Sequence, residues 1–307
     1  MSVPHDSSDA PSPAACGPRG EALVVAAPAK INLNLLVGPR RSDGYHPIDS
    51  YVARINLFDT IELRRRDDAR ITLECLGADC GPTESNLAFR AAEALAQQAH
   101  AAGRSEGRAR GVDIRLIKRI PLGAGLGGGS SDAAAVLAGL TSLWDLKLEP
   151  GDLASLAGTL GSDVPLFLGP PAARMTGRGE TVRPVRLCSF RAILCLPGLH
   201  IPTAAVYRQF DRLPAQALCQ LDEAILSGPP SAWRDRLVNQ LSPAADDVCP
   251  GLGTWRGSLA EGGLPVCLSG SGSALFILFD DQPSAESALT RLPTPIRSAC
   301  RIIQFHQ

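Results

Sequence analysis

The sequence predicts an α+β fold in two domains. Three observations carry this. Strand-like segments cluster before helical ones instead of alternating strictly with them, which argues against a doubly wound sheet. A glycine-rich stretch at residues 121–131 runs directly into an Ala/Leu-rich helix. Composition shifts at Gly169-Pro170-Pro171, a linker dividing residues 21–169 from residues 170–307. With 307 residues, 45% of them apolar, the chain is long enough for two cores.

The elements follow in order. Residues 1–20 are rich in Ser, Pro and Ala and carry Asp6 and Asp9, which reads as a disordered extension. Residues 21–27 are β-like, and residues 31–37 alternate with period two, as a half-buried strand does. Turn residues make 38–47 a loop. Residues 51–56, 59–65 and 71–76 read as strands, and 77–82 as a turn. Ser85 or Asn86 caps a helix from Leu87 to about His100. Residues 101–111 form a polar surface loop, and 112–118 a strand. The helix after the glycine stretch spans 131–144, and a shorter one starts at Glu149-Pro-Gly and ends near Gly161. Beyond the linker, 181–186 and 191–196 are strands. Helices start near Ala204, Asp222, Trp233 and Trp255. Residues 265–269, 274–279 and 301–305 are late strands, the first two separated by the turn Ser269-Gly-Ser-Gly-Ser273.

Composition excludes several classes. A net charge of -1 gives no electrostatic case for nucleic acid or an anionic membrane. No apolar run reaches the roughly 18 residues of a spanning helix. The nine cysteines are scattered and never spaced Cys-x-x-Cys, against a disulfide framework or zinc site and for a reduced cytosol. The N-terminus lacks the apolar region of a signal peptide, so the expected compartment is cytoplasmic.

The stretch Pro121, Leu122, Gly123, Ala124, Gly125, Leu126, Gly127, Gly128, Gly129, Ser130, Ser131 is the chemical signal. Glycine lets the backbone turn sharply and lets a ligand approach the main chain. The following helix offers unpaired N–H groups and a positive dipole end, so the pair makes a phosphate site. Gly123, Gly125 and Gly128 match the dinucleotide pattern, but Pro121 interrupts the approach and no strand-end acid follows at the right distance. A Walker loop needs a lysine that is absent, and the protein-kinase motifs are missing. A loop that merely packs on its helix would order five glycines with no ligand to offset the entropy.

The run from Pro121 through Ser131-Asp-Ala-Ala134 resembles the phosphate loop of the GHMP kinases. Four further stretches resemble that family in order: Ala27-Pro-Ala-Lys-Ile-Asn-Leu-Asn-Leu35 with Arg41-Ser-Asp-Gly-Tyr-His-Pro47; Gly161-Ser-Asp-Val-Pro-Leu-Phe167; Pro197-Gly-Leu-His-Ile-Pro-Thr-Ala-Ala-Val-Tyr207; and Leu268-Ser-Gly-Ser-Gly-Ser273. The Asp-Gly-Tyr-His element is similar to the branch acting on 4-diphosphocytidyl-2-C-methyl-D-erythritol. One departure is Asn239-Gln-Leu-Ser-Pro243, where the family usually shows Asn-Asp-x-Glu-Pro. The N-terminal extension is another.

The resemblance implies a two-domain GHMP kinase fold with the active site between domains. It implies ATP as phosphoryl donor, Mg²⁺ beside it with its ligands left open, and a cytidine diphosphate sugar alcohol as acceptor, phosphorylated on its 2-hydroxyl on the non-mevalonate route to isoprenoid precursors. A monomer or weak homodimer is expected, and the charge and hydropathy above predict no nucleic-acid or membrane partner. Ser130 and Ser131 would meet phosphate oxygens or Mg²⁺; Asp132 is read as an acid complementing the helix dipole. Asp163 is the expected catalytic base, its structural alternative being a helix N-cap. Lys30 is the expected catalytic cation, orienting the hydroxyl and offsetting developing charge; a solvated lysine is the alternative. Tyr45 and Tyr207 would stack on cytosine. His46 would bond the base or simply shape its turn. Asn32 would bond the acceptor or decorate a strand edge. Thr203 contacts substrate or caps a helix. The rivals are a homoserine-kinase-like enzyme and a catalytically inactive nucleotide-binding module.

Overall fold

A computed structural model of the chain describes residues 22–101, 111–214 and 221–306. The expected N-terminal extension, and the loop expected between residues 101 and 111, lie outside the described residues except at the loop's ends.

The N-terminal sheet is built on one long strand. β1 (Leu23–Asn32) and β2 (Leu36–Val37) lie along one edge of β3 (Ile48–Arg66). β3 buries alternate residues through its middle, with Ile55, Ile61 and Leu63 inaccessible. The two strands expected at 51–56 and 59–65 are this single element. The irregularity at Asn56-Leu57 is absorbed by a register shift against β1 between Pro28 and Ala29. On its other edge β3 pairs with β5 (Gly111–Ile117), which β4 (Ile71–Leu76) flanks in parallel.

Helix α1 (Leu87–Ala101) buries Ala88, Ala91, Ala92, Leu95 and Ala99 on one stripe. α2 (Gly128–Leu143) starts three residues before the expected Ser131. It is buried on most sides, and small residues allow that: a Cβ on Gly139 would lie 2.5 Å from Leu63. α3 (Pro150–Leu160) and α4 (Val164–Leu168) complete the layer.

The Gly169-Pro170-Pro171 segment does not end the sheet. β6 (Ala172–Gly177) follows it and pairs with β3, and β7 (Thr181–Pro184) pairs with β6. The C-terminal sheet contains β8 (Arg191–Cys195), β9 (Cys267–Leu268), β10 (Leu275–Phe279) and β11 (Cys300–Gln304), in the order β11-β8-β10-β9. Its central strands read as unbroken apolar runs because both faces are covered. Ala192, Leu194, Phe276 and Leu278 pack with Ile31, Leu33 and Ile55 of the first sheet. Ile193, Cys195, Leu275 and Ile277 face α5 (Thr203–Phe210), α6 (Ser242–Val248), α7 (Pro250–Ala260), α8 (Gln282–Arg291) and the neighbouring α9 (Thr294–Arg297). The helices expected near Asp222 and Trp233 are 3₁₀ turns. The sequence argues against a disulfide framework; among the described residues one local disulfide is present, joining Cys75 near the end of β4 to Cys80 in the turn after it, their Cα atoms 6.6 Å apart.

Candidate active site

Lys30 lies on β1 just past the point where β3 bulges, Pro28 pairing with Phe58 and Ala29 with Ile55 so that Asn56 and Leu57 are left over; such a bulge increases the local twist and re-aims nearby side chains. Its N–H donates to Leu126 O at 2.9 Å, tying the strand to the glycine loop. Its ammonium is buried, donates to Asn32 Oδ1, and lies 3.8 Å from Asp163 Oδ2. Burial lowers the Lys30 pKa, and the Asp163 carboxylate partly opposes that. Asn32 Nδ2 donates to Ser50 Oγ at 2.8 Å and its N–H to Ser269 Oγ at 3.2 Å. The Asn32 side chain is therefore engaged by the protein and holds Lys30 in place.

Asp163 occupies the N-cap position of α4, yet its side chain makes no capping hydrogen bond. Its carboxylate, 34% exposed, is left for the cavity and Lys30. The far end of α4 is held by Arg54, whose Nη2 donates to Leu166 O and Gly169 O, each at 2.7 Å. Arg54 stands opposite Lys30 in the β1–β3 register.

Along the glycine loop, Gly123, Gly125 and Gly127 have φ of +66°, +75° and +71°. A Cβ on Gly125 would sit 2.1 Å from Ser269 O, and one on Gly127 2.9 Å from the Phe167 ring. No side chain caps α2, whose first N–H groups are the donors a phosphate site needs. Ser131 Oγ is buried there without a hydrogen-bond partner, and Ser130 is half-buried beside it.

Asp132 corrects the dipole reading. Because α2 starts at Gly128, Asp132 lies beyond the first turn and faces inward. It is buried with Oδ2 2.7 Å from Lys118 Nζ, and Lys118 also pairs with Asp59. Asp59 Oδ1 accepts from the N–H groups of Arg119 and Ile120 at 2.5 and 2.9 Å, just before the loop. Burial pushes the Asp132 carboxyl up to about 7.

A cavity of about 670 Å³ brings the expected acceptor residues together with this chemistry. Lys30, Asn32 and Asp163 bound it, as do Tyr45, His46, Thr203 and Tyr207. Of the glycine loop, Gly125 and Gly127 bound it; Pro121 to Gly123 and Gly128 to Ser131 do not, and Ala124 and Leu126 are buried beneath. His46 Nδ1 lies 2.9 Å from Gly38 O, and its ring is 5.5 Å from that of Tyr207. His46 Nε2 is 3.1 Å from Asp211 Oδ1 but out of hydrogen-bond alignment. The Tyr207 hydroxyl is pushed up to about 12 by burial and then by the Asp163 charge. Thr203 opens α5 without capping it; its hydroxyl shares a 2.8 Å hydrogen bond with Ser271. Tyr45 is half exposed, with the Arg178 guanidinium 3.8 Å from its ring centroid. At the Asn239 departure, Nδ2 donates to Leu268 O and Gly270 O, and Gln240 Oε1 accepts from Val37 N–H. A larger cavity of about 990 Å³ beside α7 and α8 is bounded by none of these groups.

Arg54, Arg178 and the Asp59–Lys118 pair were not singled out by the sequence. Arg178 had one local signal, a cation between two glycines in a turn, but its aromatic partner is remote in sequence. Among the described residues no helix is long and apolar enough to cross a membrane.

The chain matches the GHMP kinases N terminal domain over residues 86–169 and the GHMP kinases C terminal model over 223–297. It is 40% identical over 272 residues to a 4-diphosphocytidyl-2-C-methyl-D-erythritol kinase of Chlorobium phaeobacteroides, covering 87% of this chain and 92% of that one. A kinase of the same name from Salinibacter ruber is 39% identical over 288 residues, covering 90% and 97%. A crystal structure of 4-(cytidine 5'-diphospho)-2C-methyl-D-erythritol kinase superposes with a TM-score of 0.72 at 35% identity, over 92% of this chain and 100% of that one. Homoserine kinase from Cytophaga hutchinsonii shares the fold, with a TM-score of 0.68 at 18% identity over 95% and 97% of the two chains.

Proposed function

The chain belongs to the 4-diphosphocytidyl-2-C-methyl-D-erythritol kinases of the GHMP superfamily, ATP-dependent phosphotransferases of isoprenoid biosynthesis, and from that premise we propose how its residues divide the work. The observation that carries the assignment is the 3.8 Å approach of Lys30 Nζ to Asp163 Oδ2 at a cavity that two loop glycines also bound.

Phosphoryl transfer needs an aligned nucleophile, neutralised phosphate charge and a destination for the hydroxyl proton. The acceptor's 2-hydroxyl oxygen attacks the γ-phosphorus. The bond from that phosphorus to the bridging oxygen breaks, and ADP leaves with its electron pair. Asp163 takes the hydroxyl proton. Lys30, held by Asn32, stands beside Asp163, orients the hydroxyl and offsets charge on the transferring group. The backbone N–H groups from Gly123 to Ser130 cradle the ATP phosphates, the Ser131 N–H being the first to bond within α2. Tyr45 and Tyr207 stack on the cytosine, with His46 at its edge and Thr203 beside the second glycine turn.

The residues present fit Mg²⁺. Ser131 Oγ, buried and unpartnered at the start of α2, is the donor such an ion uses together with phosphate oxygens and water. Ser130 and Ser131 would hold it, and it would supply charge neutralisation on the ATP phosphates. We assign residues 21–169 as the ATP-binding part and 170–307 as the C-terminal part, with β6 and β7 returning to the first sheet. The protein acts in the cytoplasm as a monomer or weak homodimer.

A coupled ADP-release assay on 4-diphosphocytidyl-2-C-methyl-D-erythritol and on homoserine tests the acceptor. Turnover with the cytidine alcohol is expected. Turnover with homoserine alone sinks the assignment, and no turnover with either favours an inactive nucleotide-binding module.

A further inference from the structure

Tyr45 sits on the exposed loop between β2 and β3, where a tyrosine would ordinarily sample several rotamers. It does not stand alone. Arg178, from the turn between β6 and β7, lays its guanidinium 3.8 Å from the Tyr45 ring centroid, and both residues bound the cavity that holds Asp163. The turn is itself fixed. Gly177 and Gly179 have φ of +75° and +113°, a Cβ on Gly179 would lie 3.4 Å from Ser162 O, and the Arg178 N–H is held by the Glu180 carboxylate. Arg178 therefore projects from a turn packed against the residue preceding Asp163.

The charge on Arg178 is not spent within the protein. Among the described residues, no carboxylate pairs with its guanidinium. Arg40 of the same cavity differs: it lies 3.9 Å from Asp211 Oδ2 and donates to Gly44 O. A planar guanidinium offers five N–H donors in a fork that suits phosphate oxygens, and it stacks on an aromatic face without using them.

We propose that Arg178 is a specificity-determining residue for the acceptor: stacked on one face of Tyr45, it leaves the other face to the nucleobase and pairs its guanidinium with the acceptor's diphosphate. This rests on the reading of the cavity as the cytidine site. The stack holds the Tyr45 ring ready, which reduces the ordering cost of binding. The unpaired charge then favours a nucleoside diphosphate over the bare nucleoside.

The test is equilibrium binding of cytidine 5′-diphosphate and of cytidine to the whole enzyme, its nucleotide site filled by a non-hydrolysable ATP analogue. Arg178→Ala is expected to weaken the diphosphate by about tenfold or more and cytidine by less than about threefold. Arg178→Lys should recover part of the diphosphate loss, because the charge returns without the fork. An unchanged diphosphate affinity in Arg178→Ala overturns the proposal, as does an equal loss for both ligands. Tyr45→Ala separates the two levels. If it leaves both ligands unaffected, the cytidine reading of the cavity fails and this inference falls with it. If it weakens both while Arg178→Ala weakens neither, the cytidine reading stands and the role of Arg178 alone is removed.

Discussion

Asp163 stands where a helix cap would stand and caps nothing; its carboxylate lies 3.8 Å from the buried ammonium of Lys30. A capping aspartate would spend an oxygen on the α4 N–H groups. This one keeps both for the cavity. Asp163→Asn is expected to bind ATP normally and lose roughly 10²–10⁴-fold in kcat, the usual worth of a positioned general base. Lys30→Met should cripple turnover to a similar extent. Nucleotide titration beside steady-state kinetics checks both, and near-normal turnover in either variant removes that residue from the mechanism.

Arg54 sets the spacing of that pair. Its backbone stands opposite Lys30 and its side chain grips the carbonyls of Leu166 and Gly169, at the other end of the helix Asp163 begins. Arg54→Met removes the side-chain donor from both carbonyls, leaving Leu166 O only the Gly169 N–H, and lets α4 drift. A displacement near 1 Å costs on the order of 10²-fold in rate, so kcat should fall by roughly 10–10²-fold while the KM for ATP moves little. Arg54→Lys should restore part of kcat. A variant that unfolds more easily in urea yet keeps full kcat would show that Arg54 only stabilises the fold.

Gly125 is where the two glycine turns touch. Its φ is +75°, and a Cβ would stand 2.1 Å from the backbone carbonyl of Ser269. Backbone cannot yield as a side-chain tip can. Gly125→Ala should therefore cost about 1–3 kcal/mol in a urea titration and raise the KM for ATP, because the loop must leave its position over α2. Unchanged stability and KM would mean that the two turns separate freely.

What the sequence made legible was local. The glycine loop, Lys30 after Pro-Ala, Asp163 before Val-Pro and the Tyr45-His46 turn each carry their signal within a few residues. The alternation in β3 was legible too, but it reads as two strands, 51–56 and 59–65, because the two extra residues Asn56 and Leu57 that bulge against β1 are accommodated only once the strands pair. β6 was missed: Ala-Ala-Arg-Met-Thr-Gly has little alternation, and two prolines before it read as a boundary. The partners of the groups that position the site were not legible. Arg54 meets α4, Arg178 meets Tyr45, and Asp59 meets Lys118 only through the fold, so no spacing in the chain announces them.

The Asp59–Lys118–Asp132 cluster is the clearest of these, and its charges do not balance. One ammonium is buried with two carboxylates, so full ionisation leaves an excess negative charge in the interior. Burial accordingly raises the Asp132 carboxyl to about 7, while an unfolded aspartate titrates near about 4. The folded state thus holds a proton across that window that the unfolded state has released. The resulting contribution to stability is fully present below about pH 4 and is lost as pH rises through about 7. Asp132→Asn keeps the shape, removes the excess charge and should flatten this dependence, leaving the variant relatively more stable above pH 7. Lys118→Met does the opposite, setting two buried carboxylates against each other with no cation, and should cost about 3–5 kcal/mol at neutral pH. Urea unfolding of the nucleotide-free protein from pH 4.5 to pH 8 separates these outcomes. If the wild-type and Asp132→Asn curves run parallel across that range, Asp132 does not titrate there, and the cluster holds its charges by some other partition.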